Sequence, residues 1–149
     1  MNDMMLRQST LVRAITLAGA LGIVVGCASM SPPMSGQQVV LSGSNEVPPV
    51  TTPASGTGTV TIKPDRSVSA NITVTGMTAT ASHIHEGASG ANGPVIVPFT
   101  KTGDNTFAAP EGAKLTESQY ASYKAGNLYV NVHSAKNPGG EVRAQLKGN

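Results

Sequence analysis

The sequence predicts an all-β fold: an antiparallel Greek-key sandwich or barrel with one short helix. Two observations predict this class. Several short segments alternate apolar and polar residues with a period of two, which is typical of strands that bury one face. The segments between them are rich in Gly, Pro, Asn and Asp, which favour turns. Many short strands joined by such turns are typical of sandwiches and barrels.

The strands are predicted in order along the chain, and residues 67–75 show the clearest pattern. There Val68, Ile72 and Val74 point to one face, while Ser69 and Asn71 point to the other. The remaining predicted strands are residues 39–42, 57–62, 82–86, 95–100, 127–133 and 141–147.

The single helix is predicted to follow Thr116. Thr116 and Gln119 have the spacing of a capping box, and Gly126 is suited to end the helix after Lys124.

Composition limits the classes of partner. The 149 residues carry a formal net charge of +2 and contain no tryptophan, three tyrosines and two phenylalanines. Nucleic-acid binding needs a basic stripe or aromatic side chains on which bases stack. We therefore expect no nucleic-acid partner.

The N-terminal segment has the pattern of an export signal. Arg7 and Arg13 precede the uncharged run 14–25, which is shorter than the roughly 20 residues that span a bilayer. The run ends in Gly26-Cys27, and this end resembles a lipobox, in which the cysteine is acylated. Cys27 is the only cysteine, so it has no partner for an internal disulfide. An ordinary signal peptide with an unrelated cysteine is the alternative.

These features divide the chain into three parts. Residues 1–26 are predicted to be a lipoprotein signal peptide, residues 27–36 a lipidated tether and residues 37–149 the β domain. Ala28 follows the cysteine. An aspartate at that position would favour the inner membrane. Resemblance to sorting signals therefore implies the outer membrane. We expect an exported protein whose membrane contact is the lipid on Cys27, on the periplasmic or surface side.

The three histidines are candidate metal ligands. His83 and His85 are two residues apart, so on a strand they share a face while Ile84 turns to the core. On a later strand His133 lies on the face opposite Val132, toward solvent. If the two strands are neighbours, three imidazoles converge, and imidazole suits copper, zinc, iron and nickel. The alternative is that the rings hold the loops 87–93 and 134–140 by hydrogen bonds to loop carbonyls.

Four segments together resemble the CHRD domain. They are residues 41–50 (LSGSNEVPPV), 83–87 (HIHEG), 93–95 (GPV) and 128–133 (LYVNVH) leading into 137–146 (NPGGEVRAQL). The resemblance covers residues 37–147 and implies the fold of that family, while leaving the activity open.

The histidine pattern is also similar to the copper half of copper–zinc superoxide dismutase. That resemblance implies a superoxide-dismutase-like Greek-key barrel. An immunoglobulin-like sandwich is the alternative form of the predicted all-β fold. It also implies copper, with zinc less favoured, at His83, His85 and His133. The chain lacks a fourth histidine, a zinc-ligand cluster and a cysteine pair. A complete dismutase site is therefore missing. Metal capture, or weak redox activity at the incomplete site, is the most that this resemblance implies, and we assign no catalytic residues.

Further residues are predicted around this site. Tyr129 and Asn131 share the face of His133 and are expected to line it, and Arg143 is loosely comparable to the substrate-steering arginine of the dismutase. Glu46 and Arg143 are also predicted to form a structural ion pair. The alternative function is a structural or protein-interaction module of the envelope that binds no metal, with another envelope protein as its partner.

Overall fold

The computed structural model describes residues 36–148. The predicted signal peptide (1–26), the lipidation site Cys27 and nearly all of the tether (27–36) lie outside the described residues. Within that range no helix is long and apolar enough to cross a membrane.

The described chain is almost entirely β-structure. A short 3-10 turn at Gly43–Asn45 follows the first strand. The strands and the helix are β1 (Gln37–Ser42), β2 (Ser55–Ile62), β3 (Val68–Thr75), β4 (Ala79–Glu86), β5 (Val95–Pro98), β6 (Thr100–Gly103), β7 (Thr106–Ala108), α1 (Glu117–Lys124), β8 (Leu128–Ser134) and β9 (Val142–Leu146).

All nine strands form one antiparallel sheet in the order β5-β4-β8-β9-β1-β2-β3-β7-β6. The two edge strands, β5 and β6, are consecutive pieces of one segment that is interrupted at Phe99. The backbone N–H of Phe99 donates to the carbonyl of Ser82 on β4 (3.0 Å), and Lys101 Nζ donates to the carbonyl of Ala79 (2.9 Å). The sheet therefore curls into a nearly closed barrel, which confirms the predicted all-β class.

Three strands begin two or three residues earlier than predicted (β1, β2 and β4), and one region differs more. The predicted strand 95–100 divides into β5 and β6, because the chain leaves one edge of the barrel and joins the other. The three-residue strand β7 was not predicted. It pairs with both β3 and β6, and its buried residue is Phe107.

One face of each long strand supplies the core. Leu41, Ile72, Ile84, Val130 and Val142 are fully buried in the barrel. The period-two pattern places β-branched and aliphatic side chains on that face, where they lose contact with water.

The helix has the predicted boundaries. Thr116 Oγ1 accepts from the backbone of Gln119 (3.2 Å), and Gln119 Oε1 accepts from the backbone of Thr116 (2.9 Å). Gly126 follows with a φ of +76°, a left-handed conformation that favours glycine. Ser122 on α1 donates to the carboxylate of Glu86 (2.6 Å), so the helix is attached to the end of β4.

The outer face of β8 is not the wet face that the sequence predicts. Tyr129 and Asn131 are only 2% and 1% exposed. Loop residues cover this face: Gly93 contacts the Tyr129 hydroxyl, and the carboxyl of Glu46 hydrogen-bonds Asn131. The alternation of side chains along β8 is as predicted, but both of its faces are buried.

Candidate metal centre

Strands β4 and β8 are neighbours, and their register brings the three histidines together. In the antiparallel pairing His83 lies opposite Asn131, and His133 lies opposite Ala81. His83 and His133 are therefore diagonal neighbours on one face. The ring centroids of His83 and His133 are 4.8 Å apart, those of His83 and His85 5.5 Å, and those of His85 and His133 6.0 Å.

One ring nitrogen of each histidine lies within 4.8 Å of the corresponding atom in the other two. Within residues 36–148 this is the one group of His, Cys, Asp and Glu side chains close enough together to hold a metal.

The hydrogen bonds of His133 define its tautomer. Its Nδ1 lies 2.9 Å from the carbonyl oxygen of Pro138, which can only accept, so Nδ1 carries the proton. Its Nε2 then presents a lone pair, which lies 3.0 Å from Nδ1 of His83. His83 is therefore the donor to His133 in this pair.

His85 is held in the same way by a different loop. Its Nδ1 lies 2.9 Å from the carbonyl oxygen of Gly93, so Nδ1 again carries the proton. Its Nε2 is buried and has no hydrogen-bond partner in the described structure. A buried lone pair without a partner is costly unless a ligand or an ion satisfies it.

Burial lowers the basicity of two of the rings. Desolvation, followed by the nearby charges of His133 and His85, lowers the pKa of His83 to about 4. Desolvation also lowers the pKa of His133, although its bond to Pro138 opposes that shift. His83 and His133 are half-buried, and His85 is 8% exposed. The lowered pKa of each ring favours the neutral form, which is the form that binds a metal.

The predicted lining residue Tyr129 forms one wall of the site. Its ring stacks on His85, with 4.8 Å between centroids and 7° between planes. The guanidinium carbon of Arg143 lies 3.4 Å from the centroid of the same ring. The Tyr129 ring therefore lies between the imidazole of His85 and the guanidinium of Arg143.

Arg143 holds a loop and does not steer a substrate. Its guanidinium is 1% exposed and donates to the carbonyls of Ala88 and Ala91 (3.2 and 2.9 Å) and to Asn92 Oδ1 (3.3 Å). It also donates to Gln145 Oε1 (3.2 Å). A side chain enclosed in this way is inaccessible to a diffusing substrate, which removes the role suggested by the dismutase likeness.

Glu46 and Arg143 interact differently from the predicted ion pair. The hydrogen bonds of Arg143 go to the loop 88–92 and to Gln145, while the carboxyl of Glu46 is hydrogen-bonded by Asn131. Glu46 is 5% exposed, and desolvation raises its pKa to about 7 even though the Arg143 charge, Asn131 and Val47 lower it. Arg143 therefore acts on Glu46 through its charge, and desolvation outweighs that effect.

Sequence reasoning missed the backbone groups that orient the rings. The carbonyls of Gly93 and Pro138 select the tautomers of His85 and His133, and a backbone carbonyl has no residue-type signature. The proposed loop-holding role is thus met by His85 and His133, each through Nδ1, and not by His83, whose Nδ1 bonds His133. Nε2 of His85 has no partner and Nε2 of His133 accepts only from His83, so the two interpretations are compatible.

Comparison with known proteins agrees with the sequence resemblance. The family model of the CHRD domain matches residues 37–146, nearly the whole of the described barrel. The comparison with curated proteins found no match, and neither did the comparison with solved structures. On the strength of the matched segment, the chain belongs to the CHRD domain family.

Proposed function

We propose that this chain is a lipid-anchored protein of the cell envelope that binds copper, or another transition metal, through His83, His85 and His133. The observation that carries the proposal is the convergence of three imidazole nitrogens within 4.8 Å of one another. Binding, with no catalysis, is the proposed activity.

The distances suit a single ion after small side-chain shifts. Two nitrogens that each lie about 2 Å from one metal at a tetrahedral angle are about 3.3 Å apart. His83 Nδ1 and His133 Nε2 are already 3.0 Å apart. An ion would replace the proton shared by these two atoms, and that proton would move to the other nitrogen of His83.

The surroundings of the rings also favour ligation. Metal-binding histidines usually donate their second N–H to a carbonyl or carboxylate, which fixes the ring and raises its basicity. His85 and His133 already make such bonds to Gly93 and Pro138. The unpartnered Nε2 of His85 is then an acceptor that an ion satisfies.

Copper is favoured over zinc for a chemical reason and by resemblance. Imidazole suits both metals, but a given set of nitrogen donors generally binds Cu(II) more tightly than Zn(II). The group here contains histidines alone, in a pattern similar to the copper half of copper–zinc superoxide dismutase.

Titration of the full-length chain in detergent tests metal binding. We expect saturable uptake of one copper ion per chain and a rise in melting temperature with copper. His85→Phe keeps a ring against Tyr129 but removes both nitrogens, so it should weaken binding about a hundredfold or more. Thr57→Ala, on the exposed face of β2, is the matched control and should bind like the parent.

Absence of saturable uptake would end the metal proposal. The chain would then be the alternative, a module of the envelope in which the histidines only hold loops. In that case replacing all three histidines would make the loops that they hold less ordered. It would remove no metal-dependent property, because the parent chain would have none.

The lipid anchor rests on the sequence of residues 1–27 and needs its own test. Radiolabelled palmitate should be incorporated into the parent chain and into Ser29→Ala, but not into Cys27→Ser. The Cys27→Ser protein should also leave the outer-membrane fraction. Equal labelling of both variants would contradict the anchor.

A further inference from the structure

We infer that the site formed by His83, His85 and His133 selects monovalent copper, Cu(I), over divalent ions. This inference rests on the proposed metal-binding function and specifies which ion the site is built to hold. The charges and the burial around the three rings carry it.

The donor set is neutral, because it consists of three imidazoles. No Asp or Glu belongs to the group of potential ligands within residues 36–148. Glu86 accepts from Ser122 (2.6 Å), and Glu141 accepts from Thr52 (2.6 Å) and Ser134. Glu46 is hydrogen-bonded by Asn131. Three imidazoles add no negative charge, so a bound ion keeps its full positive charge.

The inner side of the site is also poorly solvated, while His83 and His133 are half-buried. His85 is 8% exposed and the Tyr129 ring against it 2% exposed. The cost of moving an ion from water into such surroundings grows with the square of its charge. A divalent ion without a carboxylate ligand therefore loses far more hydration free energy than a monovalent ion does.

A fixed cation lies behind the site. Arg143 is 1% exposed and its guanidinium carbon lies 3.4 Å from the centroid of the Tyr129 ring, whose ring stacks on His85. Its repulsion of a bound ion doubles when the charge of that ion doubles. Like desolvation, this repulsion disfavours a divalent ion more than a monovalent one.

Coordination number adds a geometric reason. Cu(I) is satisfied by three nitrogen donors, whereas zinc held by three histidines takes a fourth ligand, such as water. The covered side of the site presents the hydrocarbon of Tyr129, and the described residues offer no fourth side-chain ligand in this group.

Competition titrations of the full-length chain measure the selectivity. Cu(I) is supplied anaerobically with a chromophoric chelator, and Zn(II) is the comparator because it has no redox chemistry. We expect the dissociation constant for Cu(I) to be lower than that for Zn(II) by about a hundredfold or more. Equal or tighter binding of Zn(II) would overturn the inference while leaving the proposed function intact. Failure of Cu(I), Cu(II) and Zn(II) all to bind would end the proposed function itself.

A matched pair of variants tests the electrostatic cause. Ala81 lies on the histidine face of β4, opposite His133, and is half-buried. Ala81→Asp places a carboxylate beside the site, and Ala81→Asn places a neutral group of the same shape there. Ala81→Asp should shift the Cu(I)/Zn(II) preference toward Zn(II) by about tenfold or more, and Ala81→Asn should not. Equal shifts in the two variants would refute the charge argument, and the parent titration decides selectivity if either variant fails to fold.

Discussion

The imidazole of His85 lies parallel to the phenol of Tyr129, with 4.8 Å between ring centroids and 7° between ring planes. Strand β8, which carries Tyr129, lies between β4 and β9. His85 therefore approaches the phenol from β4, and Arg143 approaches it from β9. The stack links the candidate metal ligand to the most deeply buried cation of the described structure.

Tyr129 should support the metal site mainly through its ring. The Tyr129 hydroxyl accepts from the backbone of Gly93 (3.2 Å), a long bond, whereas the ring fixes the plane of His85. Groups that orient a ligand typically contribute 10- to 100-fold to metal affinity. We expect Tyr129→Leu to weaken copper binding by about tenfold or more, and Tyr129→Phe by less than about threefold. Competition titration measures both, and equal losses would show that the hydroxyl matters more than the ring.

Arg143 should be required for the order of the loop above the site. It donates hydrogen bonds to Ala88, Ala91 and Asn92, and removing it takes away the donors that hold this exposed loop to the barrel. We expect Arg143→Met to lower the free energy of unfolding by about 2–4 kcal/mol and Lys147→Met, at an exposed position, by less than about 0.5 kcal/mol. Urea denaturation gives these values. Amide exchange should accelerate in residues 87–93 of Arg143→Met, and unchanged exchange there would contradict the loop-holding role.

Glu46 should make the stability of the metal-free protein fall as the pH rises. Desolvation raises its pKa from 4.5 to about 7 in the folded state. Between these values the unfolded carboxyl loses its proton while the folded one keeps it, so ionisation favours unfolding. The loss is complete above about pH 7 and amounts to at most about 3 kcal/mol. Glu46→Gln has no such proton, so its stability relative to the parent should increase between about pH 4 and pH 8. A constant difference across that range in urea titrations would contradict the raised pKa.

His83 should make the stability of the metal-free protein fall as the pH falls. Desolvation, assisted by His133 and His85, lowers its pKa from 6.5 to about 4 in the folded state. As the pH falls between these values the unfolded ring binds a proton that the folded ring excludes, so the folded state loses stability. The full contribution is present above about pH 6.5. His83→Gln should flatten this part of the profile of the metal-free protein. Thermal unfolding measured across that range checks the result, and a parallel profile in the variant would argue against the lowered pKa.

The backbone at Gly93 should tolerate no side chain. A Cβ at this position would overlap the carbonyl oxygen of Glu86, the residue after His85. The backbone must therefore move, and with it the carbonyl that holds His85 Nδ1. We expect Gly93→Ala to cost about 2 kcal/mol or more and to weaken copper binding about tenfold or more. Gly139→Ala meets no atom within 4 Å, so it is the control and should change stability by less than about 0.5 kcal/mol. If Gly93→Ala were as stable as Gly139→Ala, the close approach of Gly93 to the Glu86 carbonyl would be contradicted.

Several elements follow from local sequence because their causes are local. The alternation of Val68, Ile72 and Val74 with polar neighbours predicts β3, and the Thr116–Gln119 spacing predicts the start of α1. The strands β6 and β7 were harder to predict, since Thr100–Gly103 is exposed throughout and β7 has three residues. Such short edge strands are formed by pairing with neighbours and show little pattern of their own.

The sequence by itself determined the strand-rich fold class, the identity of the three candidate ligands and the face of the strand that each one occupies. A side chain's face follows from the period of two along a strand, which is a local property. Only the tertiary structure decided that β4 and β8 pair, that loops bury the outer face of β8, and that the carbonyls of Gly93 and Pro138 direct the lone pairs of His85 and His133. These features depend on contacts between residues far apart in the chain, and neither composition nor periodicity encodes which strand becomes the neighbour of another.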